Sequence, residues 1–280
     1  MTCRNYLLVI PVALAAVALF AGCGGQHGTA DHRGDDMKEH GDSVAGIAAP
    51  ESAPSGAGID RSILDDPGRP EEEKKQDADR KALDVYAWLG IVPSMTVADL
   101  FCGGGYNTHL LSRVVGEGGR VYSVFEFYAD REAFDGQLYK VDEVTARVEK
   151  NGLDNVELLI KMDELPADAI DAMVVIRNYH DVEWVFDGLK RKEVVASIFR
   201  AMKPGGVVGI VEVATDKDGW DDTTHRLNGK VVIDDFTAGG FKLAGRSDML
   251  ANPADDHSIA GFKEGRYTMD RYLLKFEKPV

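Results

Sequence analysis

The chain has 280 residues, with 47 acidic against 32 basic side chains and a formal net charge of −15. No basic stripe interrupts this balance, so a nucleic-acid partner is disfavoured, because binding a phosphate backbone needs clustered cations. Three cysteines with no Cys-x-x-Cys or Cys/His spacing leave no zinc pattern, and no metal is expected.

The first segment is a targeting signal and does not enter the fold. Met1 to Tyr6 is short and carries Arg4, and Leu7 to Phe20 is apolar throughout apart from Pro11. That run is too short to cross a bilayer comfortably and has the length of a signal h-region. Ala21-Gly22-Cys23 follows and resembles the bacterial lipobox, with Phe20 standing where Leu is usual. The resemblance implies a lipoprotein-type signal peptide over 1–22 and a lipidated Cys23. The protein would then be exported and anchored on the periplasmic side of the envelope. Cys3 is lost with the signal, which leaves Cys102 without an intramolecular disulfide partner. Residues 23–70 are rich in Gly, Ala, Asp, Ser, Pro and His with few large apolar side chains, and read as a disordered tether. His27, His32 and His40 lie in it, as solvated linker histidines or a weak metal-binding tract.

Residues 71–280 have the pattern of one folded domain. Glu71 to Leu89 has helical spacing of Leu83, Tyr86 and Leu89, and Gly90 ends it. Strands are predicted at Thr96–Phe101, Arg120–Phe125, Val156–Ile160, Ala172–Arg177 and Val207–Val213. Helices are predicted between them at Thr108–Val115, Lys140–Asn151 and Lys190–Met202. This alternation argues for a mostly parallel sheet with right-handed crossovers and helices on both faces. Phe241–Arg246 and Arg271–Lys278 break the rhythm as an antiparallel strand pair, separated by a long loop with no helix signal.

The informative stretch is Val97-Ala98-Asp99-Leu100-Phe101-Cys102-Gly103-Gly104-Gly105-Tyr106, a buried strand running into three glycines and then a helix. Glycine suits a tight turn and a close backbone approach to a ligand. Glu126 ends the next strand, where a carboxylate can accept hydrogen bonds from ribose hydroxyls. A nicotinamide dinucleotide site wants G-x-G-x-x-G, and Thr108 stands at its third position. The run instead resembles motif I of class I methyltransferases dependent on S-adenosylmethionine (SAM), with Asp99, Gly103 and Gly105 matching and Phe101 replacing the first glycine.

The resemblance continues in order along the chain. Lys161-Met162-Asp163-Glu164-Leu165-Pro166 looks like the segment after the third strand, Ile170–Val175 like the fourth strand, and Met202-Lys203-Pro204-Gly205-Gly206 like the turn into the fifth. Asn178-Tyr179-His180-Asp181 and Asn252–His257 resemble a bacterial predicted-methyltransferase subgroup. The resemblance implies an α/β, Rossmann-like class I methyltransferase fold with a seven-stranded, mostly parallel sheet and an antiparallel C-terminal pair. It implies SAM as cofactor, held by Asp99, Gly103, Gly105, Glu126 and Asp163, the last at the adenine amino group.

Acceptor-facing residues come from the end of the fourth strand, so Asn178, Tyr179 and His180 are the catalytic candidates. His180 can serve as a base oriented by Asp181, or pack against the cofactor pocket, and Tyr179 can be an apolar wall. Asp255-Asp256-His257 offers metal donors but reads more plainly as polar loop decoration, and Arg226 as a surface salt bridge or a contact for an acidic acceptor. The leading function is methyl transfer to a small-molecule or envelope acceptor. A non-catalytic nucleoside- or SAM-binding envelope protein is the alternative, and a nicotinamide-dependent oxidoreductase ranks third.

Overall fold

The computed structural model describes residues 58–126, 141–186, 190–261, 263, 265 and 267–280, with backbone alone at 184–186. The signal segment, Cys23 and the tether histidines lie outside the described residues. Among the described residues no helix is long and apolar enough to cross a membrane.

The folded part begins before Glu71. A short 3-10 turn at Arg61–Asp65 is capped by Asp60, whose Oδ1 accepts from the Ser62 amide at 2.9 Å. Asp66 then accepts from the Gly68 amide and from Arg113 Nε, both at 2.7 Å. Arg69 is buried in an ion pair with Asp77. Polar anchors hold these residues together with Ile59, Ile63 and Leu64, which pack against the core, a contribution too small for composition alone to separate them from the tether.

The helix predicted over Glu71–Leu89 is three pieces: α1 (Glu71–Lys74), α2 (Asp77–Arg80) and α3 (Ala82–Leu89). Lys81 breaks it with a left-handed backbone at φ 50°. The break directs Asp77 to Arg69 and Arg80 onto Tyr106, while α3 buries Leu83, Tyr86, Trp88 and Leu89.

The remaining elements are β1 (Thr96–Leu100), α4 (Tyr106–Val115), β2 (Arg120–Val124), α5 (Val141–Lys150), β3 (Val156–Leu159), β4 (Ile170–Ile176), α6 (His180–Phe186), α7 (Arg191–Ala201), β5 (Met202–Val213), β6 (Trp220–Asp221), β7 (Arg226–Leu227), α8 (Gly229–Ala238), β8 (Lys242–Ser247) and β9 (Arg271–Glu277). Seven strands form one sheet in the order β3-β2-β1-β4-β5-β9-β8. β1 to β5 run parallel, and β9 inserts antiparallel between β5 and β8. This is the seven-stranded arrangement expected from the sequence. α8 and the helical start at His180 were not predicted.

Alternation along each strand divides the core between the two sheet faces. Val97, Val121, Val174 and Val211 pack with α3 and α4 on one face. Met173, Val175, Val208 and Ile210 pack with α7 and α8 on the other. The carboxyl ends of the parallel strands thus converge at one edge, where open α/β sheets hold their ligands.

Candidate functional site

At the end of β1 the chain turns through three left-handed residues in five: Phe101 at φ 59°, Gly103 at 53° and Gly105 at 76°. L side chains rarely adopt this region, which is the physical reason for glycine in such a turn. Phe101 adopts it nonetheless, with its ring fully buried. Its carbonyl accepts from Asn178 Nδ2 at 2.6 Å, which ties the turn to the end of β4. The replacement of glycine therefore leaves the turn's shape intact. At Gly103 the space that a Cβ would fill is open.

Asp99 lies beneath this turn, 1 % exposed, and accepts from Thr108 Oγ1 at 2.7 Å. Burial pushes its carboxyl up to about 6, against hydrogen bonds from Thr108 and Asn107 that favour the charge. Glu126 follows β2 with φ 51°, and its Oε2 accepts from the Met162 amide at 2.7 Å. Lys161 Nζ stands 3.8 Å from its Oε1, and the side chain keeps 20 % exposure. Asp163 is exposed on the short turn Met162–Glu164 after β3. The predicted cofactor residues therefore occupy three successive strand ends.

Beyond β4 the catalytic candidates turn inward. Tyr179 is fully buried, its hydroxyl donates to Asp235 at 2.9 Å, and its ring meets Phe236. It is a packing residue, not a wall facing an acceptor. His180 is 5 % exposed, and its nearest partner is Glu212, whose Oε2 lies 2.6 Å from Nδ1. The other oxygen of Glu212 accepts from the amides of Tyr179 and His180. Asp181 does stand beside His180, with Oδ1 3.3 Å from Nε2, and lies 3.5 Å from His225 Nε2. Trp220 stacks on His180 and meets His225 edge-on.

Burial disfavours the His180 imidazolium, but the charges of Glu212 and Asp181 outweigh it and raise the group to about 10. Glu212 escaped notice because it sits inside an apolar strand whose pattern reads as core. His225 is brought over His180 by the small β6–β7 hairpin, where Asp221 accepts from Thr224 Oγ1 and the Thr223 amide.

On the opposite face a cleft is lined by Arg80, Arg177 and Arg271, with Tyr86, Tyr106 and Tyr267. Arg80 lies between two rings, 3.9 Å from that of Tyr106 and 4.0 Å from that of Tyr267. Arg271 is 6 % exposed and donates through Nη2 to the Asp79 carbonyl, while its buried Nε has no hydrogen-bond partner among the described residues. Burial and the charges of Arg177 and Arg80 pull the Arg271 guanidinium down to about 10. These arginines are far apart in sequence, and no spacing signalled their meeting.

In the Asp255 loop, protein donors engage both carboxylates. Arg226 is fully buried and pairs with both oxygens of Asp255, at 2.9 and 3.2 Å, while donating to the Ala214 and Ile259 carbonyls. Neither an acidic acceptor nor a surface salt bridge describes it. Asp256 caps Ser258, and His257 Nε2 lies 3.3 Å from Asp270.

Strand order, Gly turn and C-terminal pair together define the Rossmann-like class I methyltransferase fold. No family model and no curated protein matches the chain. Among solved structures it is similar to a SAM-dependent methyltransferase from Aquifex aeolicus, at 18 % identity and a TM-score of 0.54, covering 75 % of this chain and 98 % of that one. It is similar to the [4+2]-cyclase SpnF at the same identity and score, covering 76 % and 85 %. Geranyl diphosphate methyltransferase in complex with SAM matches at 14 % identity and a TM-score of 0.51, over 79 % and 95 %. At such identities the likeness concerns the fold.

Proposed function

We propose that this chain is a SAM-dependent methyltransferase whose acceptor is an anionic small molecule or envelope component. The run Asp99–Tyr106 at the carboxyl end of the central strand, with Glu126 one strand over, carries this reading. SAM supplies an already activated sulfonium methyl, so the protein's task is to align donor and acceptor and exclude water. Glu126 accepts hydrogen bonds from the ribose, Gly103 leaves room at the turn, and Asp163 meets the adenine amino group. Asp99 acts indirectly, holding the start of α4 through Thr108.

Arg80, Arg177 and Arg271 bring three guanidiniums to one cleft, a cationic group suited to a carboxylate or phosphate of the acceptor. Their convergence in a chain of net charge −15 supports an anionic ligand there. The lipobox-like Ala21-Gly22-Cys23 supports export and lipid anchoring of the whole protein.

Calorimetric titration of SAM and S-adenosylhomocysteine into the full chain tests the reading. Micromolar binding is expected, and Glu126→Ala should weaken it by about 1–3 kcal/mol through lost hydrogen bonds. Absence of binding by folded wild type would turn the reading to a non-catalytic envelope protein on the same fold.

A further inference from the structure

Two histidines and a carboxylate meet at the ends of β4 and the β6–β7 hairpin, outside the set that holds the cofactor. We propose that His180 Nε2, Asp181 Oδ1 and His225 Nε2 form a binding site for a divalent transition-metal ion of the zinc type. The ligating atoms of these three residues lie within 4.8 Å of one another. A tetrahedral ion bound at about 2.0–2.1 Å sets its donors about 3.3 Å apart. The two separations measured from Asp181, 3.3 and 3.5 Å, fit that edge.

The surroundings are those of a ligand set that is held from behind. Glu212 is fully buried and grips His180 Nδ1 at 2.6 Å, which turns Nε2 toward Asp181. A carboxylate on the far nitrogen of a ligating histidine fixes its ring and strengthens its donation. Among the described residues, Glu212 has His180 as its one ion-pair partner. Trp220 covers the two imidazoles from the side and limits their rotation. Two imidazoles and one carboxylate suit zinc or a neighbouring first-row ion and are poor ligands for calcium or magnesium.

Three protein ligands leave a fourth position for water or for an oxygen or sulfur of a bound molecule. The site stands on these residues alone, whether or not the domain transfers methyl groups.

The test is metal titration of the chelator-treated full chain with zinc and, separately, with cobalt(II). The control replaces His27, His32 and His40 by alanine, which removes the tether histidines as a competing site. One ion per chain is expected, with the visible absorption of tetrahedral cobalt and a rise in melting temperature, in both wild type and control. His225→Ala should abolish the cobalt spectrum and weaken zinc by about 100-fold or more, and Glu212→Gln should weaken it by about 10- to 100-fold. Unchanged melting of metal-free His225→Ala would show that the variant still folds. Loss of the stoichiometric ion on replacing the tether histidines would overturn the proposal. So would unaltered binding by His225→Ala, or no binding by wild type.

Discussion

Val211 and Glu212 are consecutive on β5, yet they face two environments of opposite character. On the side of Val211, guanidiniums crowd a cleft, and the buried Nε of Arg271 has no acceptor among the described residues. On the side of Glu212, both carboxylate oxygens are engaged, one by backbone amides and one by His180. A cationic cleft with an unanswered donor is held at a cost to stability and gains when an anion arrives. The histidine cluster supports itself and contributes to the fold before any ligand binds. One step along a strand separates the two because its side chains alternate between faces.

The largest expected effect lies on the saturated side. Glu212→Ala leaves two buried amides and a buried imidazole ring without their acceptor, so it should cost about 3–5 kcal/mol in denaturant unfolding. A loss below 1 kcal/mol would show that the cluster does not support the fold.

Asp99 comes next, on the face of the cleft. Its folded carboxyl titrates near 6, above the ordinary value of 3.8, so the folded state binds more protons in between. Stability from this group therefore falls as pH rises through that window, and the cost persists above it. Asp99→Asn should be more stable than wild type at pH 7 by on the order of 2 kcal/mol, with the gap closing toward pH 4. A gap that stays constant with pH would count against the buried charge as its cause.

Tyr179→Phe removes a hydroxyl whose partner, Asp235, retains Arg191 at 2.9 Å. A loss of about 0.5–1.5 kcal/mol is expected in the same unfolding experiment.

The smallest stability effect belongs to the cleft. Arg271→Met should change unfolding by less than about 1 kcal/mol, or stabilise, because it removes a crowded cation with no carboxylate ion pair among the described residues. The same variant should weaken binding of an anionic acceptor. A destabilisation above 3 kcal/mol would make Arg271 a structural residue and reverse the contrast with Glu212.

Much of the fold was legible because it rests on local rules. Apolar runs such as Val97–Leu100 and Val207–Val213 alternate with helical spacing, and each was found within a few residues of its place. The start of β5 lies earlier than predicted, since Lys203-Pro204-Gly205-Gly206 reads as a turn. α8 was missed because Gly229 opens it and its buried positions are few. The turn after β1 and Glu126 after β2 were legible because a left-handed turn favours glycine and a strand-end carboxylate is conspicuous. Glu212 and Arg271 were not, since one interrupts the core strand β5 and the other opens β9 without altering the pattern of either.

The sequence by itself determined the order of elements, the parallel sheet with its C-terminal pair, and the Gly-rich turn after β1. Periodicity and the steric demands of the backbone act over a few residues and can be read from a few residues. Only the tertiary structure decided that Arg80, Arg177 and Arg271 share a cleft, and that Glu212 and His225 close on His180. It also decided that Phe101 keeps a glycine's backbone. These meetings depend on which strands lie side by side and where their ends bring distant loops. Strand order at one edge of a sheet leaves no period in the chain.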